Sequence, residues 1–209
     1  MKNKRTYLMA IFISFLPVIA GLLLYPKFPN RIATHWGFNG EANGYSSKIV
    51  GVIVLPLLLA VLSIFMPKLL EMDPKNKDMN DKLRNSIIWL LPIINVMCSS
   101  FTMLEALGIK TKIEVIAPLI IAITFIIIGN YLPKAKQNYT VGIKVPWTLD
   151  DEENWDKTHR LGGFLFVFGG IVLAISSFFK LKAVMLFVVI FLVGIVPIVY
   201  SYILHKKKK

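Results

Sequence analysis

The chain has 209 residues, 56% of them hydrophobic, with a mean hydropathy of +0.64 and a formal charge of +12. A water-soluble domain does not carry that much apolar side chain in long blocks, and the single cysteine, Cys98, excludes an intramolecular disulfide. The apolar residues fall in six runs of roughly 18 to 22 residues, each long enough to cross about 30 Å of hydrocarbon as a helix. In lipid such runs must be helical, because unpaired backbone groups find no water there, and these runs lack the alternation of a membrane barrel.

The first run, residues 6–24, follows the basic segment 1–5; without a small-x-small cleavage pattern it reads as a retained span. Residues 25–48 come next. Pro26 and Pro29 favour extended chain, 32–38 suits a short strand, and Asn39-Gly40 and Asn43-Gly44 are turn dipeptides. Trp36, Phe38 and Tyr45 suit a headgroup layer. The second run is 49–66. The connector 67–85, with Asp73-Pro74 as a turn signal, reads as a solvated link.

The third run, 86–107, carries Asn95, Ser99, Thr102 and Glu105 at steps of three and four, which puts them on one helix face. Such a face serves either interhelical hydrogen bonding or the wall of a polar path. Cys98 in the same run reads as a small buried packing residue. After the short loop 108–114 comes the fourth run, 115–132. Segment 133–160 is polar and dense in Pro, Gly, Trp and charge, with Thr148 and Asp150 to Glu153 marking a helix start. The last runs, 161–179 and 183–204, flank the short loop 180–182. Gly163, Gly170, Ala174 and Ser177 form a small-residue face for close packing, within the bundle or in a homo-oligomer. The tail 205–209 is a basic membrane-edge anchor.

With the N-terminus inside, 17 of the Lys and Arg residues fall on the inner segments and 7 on the outer ones. That bias places both termini in the cytoplasm, the 25–48 loop outside and 133–160 inside. It accounts for the positive charge without a nucleic-acid partner, which makes direct nucleic-acid binding the weaker reading. His35, His159 and His205 are not spaced as metal ligands, and neither a nucleophile elbow nor a phosphate loop is present. No cofactor, metal site or catalytic set is expected, so the chain does not read as an enzyme.

Residues Gly129 to Pro133, Asn138, Gly142-Ile143-Lys144, Pro146 to Leu149, Trp155 and Lys157 to Arg160 together resemble the signature of the SdpI/YfhL family. Lys144 stands where Arg is common in that family, which keeps the charge but loses the planar fork. Residues Phe28 to Ile32, Thr34 to Trp36, Asn39-Gly40, Gly44-Tyr45 and Ser47-Lys48 resemble a small module of unassigned function found at the start of such proteins. The resemblance covers nearly the whole chain. It implies an immunity protein in the cell membrane, in contact with membrane lipid, that neutralises a secreted peptide toxin. It also implies a cytoplasmic helix-turn-helix repressor held at the membrane when toxin is engaged.

The sequence thus describes an all-α integral membrane protein of six transmembrane helices in three hairpins. Residues 1–85 form the first hairpin with its outer loop module and connector; 86–209 form a four-helix region with the signature loop. Arg31, His35, Trp36, Phe38, Asn39 and Tyr45 are the expected toxin contacts. Asn130, Pro133, Asn138, Gly142, Lys144, Pro146, Trp147, Thr148, Trp155, Lys157, His159 and Arg160 are the expected signalling residues. Substituting Trp147, Trp155 or Arg160 is expected to spare folding and abolish repressor recruitment. The alternative from another class is a small-molecule or peptide transporter, with Asn95, Ser99, Thr102 and Glu105 lining its path.

Overall fold

The computed structural model describes residues 4–37, 39–76, 79–179 and 182–208. The chain is mostly helical. Among the described residues six helices are long and apolar enough to cross a membrane: α1 (Lys4–Leu23), α2 (Leu55–Met72, entered through a π-helical turn, Val50–Val54), α3 (Asp81–Ala106), α4 (Ile113–Tyr131), α6 (Glu152–Ser176) and α7 (Lys182–Lys207). A short helix, α5 (Pro146–Asp150), precedes α6. The spans turn large apolar side chains outward, among them Phe12, Leu23, Phe164, Phe168, Phe187 and Phe191. In water that surface would be prohibitive, and against lipid it is the expected exterior.

The expected strand is present and is half of an antiparallel hairpin, β1 (Arg31–Trp36) with β2 (Ala42–Ser47). Asn39-Gly40 makes the turn, with Gly40 at φ +84°. Asn43-Gly44, read from sequence as a second turn, lies inside β2 instead. There the pairing slips at His35, and a Cβ on Gly44 would come within 2.8 Å of the His35 Cβ.

The chain divides into two compact units. The first comprises Met1–Lys68 with Asn85–Glu114. Its apolar core joins Phe28, Ile32, Val52 and Met103, so the hairpin residue Ile32 is seated among helix ends. Gly21 lets α1 close onto the Val52 carbonyl of the π-helical turn. Its polar core is centred on Asn95, which is fully buried. The Asn95 amide donates to the Ser14 and Pro56 carbonyls, both at 2.9 Å, and its oxygen accepts the Ser99 hydroxyl at 2.9 Å. One side chain thereby ties α1, α2 and α3. Ser14 and Ser63 add a hydroxyl pair at 3.1 Å, and the Tyr7 hydroxyl donates to the Ile64 carbonyl.

The second unit comprises Leu69–Arg84 with Val115–Lys209. Ala122, Leu173, Val189 and Val193 form its apolar core. Small residues set its helix approach. A Cβ on Gly163 would sit 2.5 Å from the Pro133 ring, and one on Gly170 would sit 2.7 Å from the Ala122 carbonyl. The small-residue face therefore works inside the unit. Asn154, also buried, donates to the Ser201 carbonyl at 2.9 Å and accepts the Ser201 and Thr158 hydroxyls, which fastens α6 to α7.

Replacing Asn95 with Leu keeps the branched side-chain shape, at a somewhat larger volume, and removes all three hydrogen bonds. The expected loss is about 1–2 kcal/mol, the scale of side-chain hydrogen bonds between membrane helices, read as a lower melting midpoint in detergent. Thr102→Val should leave the midpoint unchanged, since Thr102 bonds only back to the Cys98 carbonyl.

Candidate functional site

Most of the signature residues converge at one place in the second unit, and their backbone explains why. After α4 a 3-10 turn, Leu132–Lys134, ends the helix, and residues 135–145 run without regular structure. Chain of that kind leaves peptide groups unpaired unless side chains reach them. Trp155, with no exposed surface, donates its indole N–H to the Ala135 carbonyl at 2.7 Å. His159 lies one turn further along α6 and stacks on the Trp155 ring at 3.8 Å. Its Nε2 accepts the Ile143 N–H at 2.9 Å, and its Nδ1 lies 2.8 Å from the Trp155 carbonyl. This pairing fixes a neutral ring protonated at Nδ1.

Gly142 passes over this pair at φ +129°. A Cβ there would collide with His159 Nε2 and come within 2.9 Å of the Trp155 ring. Asn138, buried, closes its turn by accepting the Thr140 and Val141 N–H groups at 2.9 and 2.6 Å. The Thr148 hydroxyl accepts the Val145 N–H and faces the Ile143 and Val145 carbonyls at 2.8 and 2.9 Å. Thr148 thus stabilises α5 from within. Asp151, not Thr148, caps α6, accepting the Glu153 N–H at 3.0 Å.

The exposed signature residues do other things. Lys144 reaches back to the Tyr139 and Thr140 carbonyls at 3.0 and 3.1 Å. An ammonium satisfies both acceptors without the fork of an arginine. Lys157 pairs with Glu153 at 2.6 Å, and Arg160, Pro133, Pro146 and Asn130 are exposed. Trp147 packs edge-on against Tyr202, ring centres 5.4 Å apart, and lies 6.1 Å from His205. Lys208 closes onto Asp151 and Glu153, each at 2.7 Å, and the Lys208 ammonium holds the Asp151 carboxyl below its usual range.

Sequence reasoning missed Asp73 and Gln137. The connector after α2 is not a free link. Asp73 accepts the Tyr139 N–H and the Thr140 hydroxyl, both at 2.7 Å, and the Lys75 N–H at 3.0 Å. Lys75 reaches Gln137 and the Tyr139 ring, while Gln137 donates to the Thr148 and Leu149 carbonyls at 2.8 Å. Asp73-Pro74 signalled a turn, but nothing local to it points to a partner 66 residues away. Burial opposes the Asp73 charge. The bonds from Thr140, Lys75 and Tyr139 outweigh it and hold the carboxyl below the ordinary aspartate value.

The hairpin residues separate by face. Arg31, His35 and Tyr45 are exposed, with the Arg31 guanidinium 5.9 Å from the Tyr45 ring centre. Trp36 turns inward to meet Phe101 edge-on at 5.0 Å. Asn39 bonds Glu41 within the turn, and Phe38 lies outside the described residues. In α3, Asn95 and Ser99 are spent on the helix junction, while Cys98, expected to be buried, is on the outward face. Glu105 holds the following loop, accepting the Thr111 N–H at 2.6 Å and its hydroxyl at 2.5 Å. The four polar residues do not line one path: two are buried and paired, and the others serve local backbone.

The model of the SdpI/YfhL protein family matches residues 134–201, and that of a domain of unknown function, DUF1648, matches residues 12–60. The chain is 29% identical over 203 residues to the immunity protein SdpI of Bacillus subtilis (strain 168), covering 96% of each. No solved structure matches.

Gly142→Ala should cost about 2–4 kcal/mol from its positive φ and the overlap with His159. Trp155→Ala should cost about 3–5 kcal/mol. Lys144→Ala and Arg160→Ala should leave the melting midpoint within a degree or so. Asp73→Asn tests the latch by pH. A carboxyl depressed in the folded state stabilises fully above its unfolded pKa and loses that stabilisation as pH falls through the folded value. The wild type should therefore melt above the Asn variant at neutral pH, and the gap should close on acidification below the ordinary aspartate range.

Proposed function

We propose that the chain, whose residues 134–201 match the SdpI/YfhL family model and whose helices suit a multi-pass bacterial membrane protein, is an immunity protein of that family, protecting its cell from a secreted membrane-active peptide. The observation that carries this is the likeness to an immunity protein along 96% of both chains. Two features support a binding role over conduction. The polar groups of α3 are satisfied by helix backbone and by one another, and a hairpin with exposed polar and aromatic side chains is braced on the helix ends. With both termini cytoplasmic, as the lysine and arginine bias suggests, that hairpin faces the side from which a secreted peptide arrives.

Any inward report to a cytoplasmic repressor belongs, in this reading, to exposed charged members of the signature: Lys144, Lys157 and Arg160. Trp155 and His159 hold the loop that presents them, so substitution there acts first on folding.

Expression in a toxin-sensitive strain should raise survival against at least one of a panel of secreted killing peptides. Unchanged killing by all of them, with the protein detected in the membrane fraction, overturns the immunity reading.

A further inference from the structure

We propose that the exposed face of the β1–β2 hairpin docks an extended, acidic peptide segment, and that the toxin presents its carboxylates there. The identity of the partner rests on the immunity reading; the chemistry of the face does not.

The face is built by strand alternation. Ile32 is buried in the core and Trp36 meets Phe101, so Arg31 and His35 of β1 point away, beside Asn43, Tyr45 and Ser47 of β2. Its charge is one-sided. Residues 25–48 and 108–114 hold five cations, Lys27, Arg31, Lys48, Lys110 and Lys112, against two carboxylates, Glu41 and Glu114. Glu41, though exposed, is engaged by the Asn39 amide at 2.7 Å, and Glu114 lies against the turn at Gly40. Among the described residues no salt bridge involves these five cations. Two of them rest on aromatic rings instead. Arg31 lies over Tyr45, and Lys48 lies 4.6 Å from the Tyr25 ring centre while donating to the Phe28 carbonyl. A ring orients a cation without neutralising it, so the charge stays available to an anion.

The shape favours a peptide over a lipid headgroup. Arg31 and His35 lie four residues apart on one strand, about 13 Å, which a phosphate cannot bridge and a short extended chain spans. Among the described residues each strand pairs with one neighbour only, so the sheet keeps an open edge to which an extended segment adds with its alternate side chains on this face.

The test uses the full chain in neutral phosphatidylcholine nanodiscs and labelled peptides of about twelve residues alternating Glu with Val, or Lys with Val, read by fluorescence anisotropy. The Glu peptide should bind at least about tenfold tighter, and salt at about 0.5 M should erase the difference. Arg31→Glu should reverse the preference and Tyr45→Ala weaken it, both at an unchanged melting midpoint; Lys144→Glu should change nothing. Equal binding of the two peptides, or a preference that survives Arg31→Glu, overturns the proposal. So does an Arg31→Glu effect confined to binding of phosphatidylglycerol vesicles, which would make the face a headgroup site. In the killing assay, full protection by Arg31→Glu would remove the toxin from this face while leaving immunity intact. Failure of the wild type to protect would strike the immunity reading alone, the peptide preference being decided by anisotropy.

Discussion

The bond from the Trp155 indole to the Ala135 carbonyl, made from a side chain without exposed surface, anchors the signature region. It holds the first residue beyond the 3-10 turn against α6, and the rest of the loop follows from that position. His159 can stack on the indole only if the loop is near enough for its Nε2 to take the Ile143 N–H. Gly142 is then forced over both rings, where only a glycine fits. The physical constraint is that eleven residues of irregular backbone at a membrane boundary must find partners for their peptide groups. Side chains of Trp155, His159, Asn138, Lys144, Thr148 and Asp73 supply them.

The first unit meets the same constraint with different chemistry. Prolines 17, 56 and 92 interrupt or begin its helices, and Asn95 supplies two donors to carbonyls of α1 and α2. A polar stripe inside hydrocarbon invites the idea of a permeation path, but a path needs groups free to bind a passing substrate. Asn95 has both amide hydrogens and its oxygen engaged. Its groups are spent on joining α1, α2 and α3.

Much of this was legible in the chain. The six runs announced the spans because hydrocarbon thickness fixes length and lipid fixes outward polarity. Asn39-Gly40 announced the hairpin turn. Asn43-Gly44 misled, because the same dipeptide that favours a turn also tolerates a slip in strand pairing where a neighbour, here His35, needs room. The connector misled too. Its charges and Asp-Pro step looked solvated, yet Asp73 is buried against a loop distant in sequence. The signature residues were recognisable as a set, and their burial was not: Trp155 and Trp147 look alike in sequence, but only Trp155 is fully enclosed.

The sequence by itself determined what local composition and length can determine: membrane residence, the number of the spans and their apolar centres though not all their ends (α6 begins at Glu152, nine residues before its apolar run), the charge bias and the family resemblance. The tertiary structure decided which polar side chains are spent and which remain available. Asn95, Asn138, Thr148, Trp155 and His159 are consumed by backbone groups that only the folded chain brings to them. Arg31 and Tyr45 are left facing outward because strand pairing, not residue type, chose their face. Hydrogen-bond satisfaction is a property of three-dimensional neighbours, and the chain's linear order does not contain it.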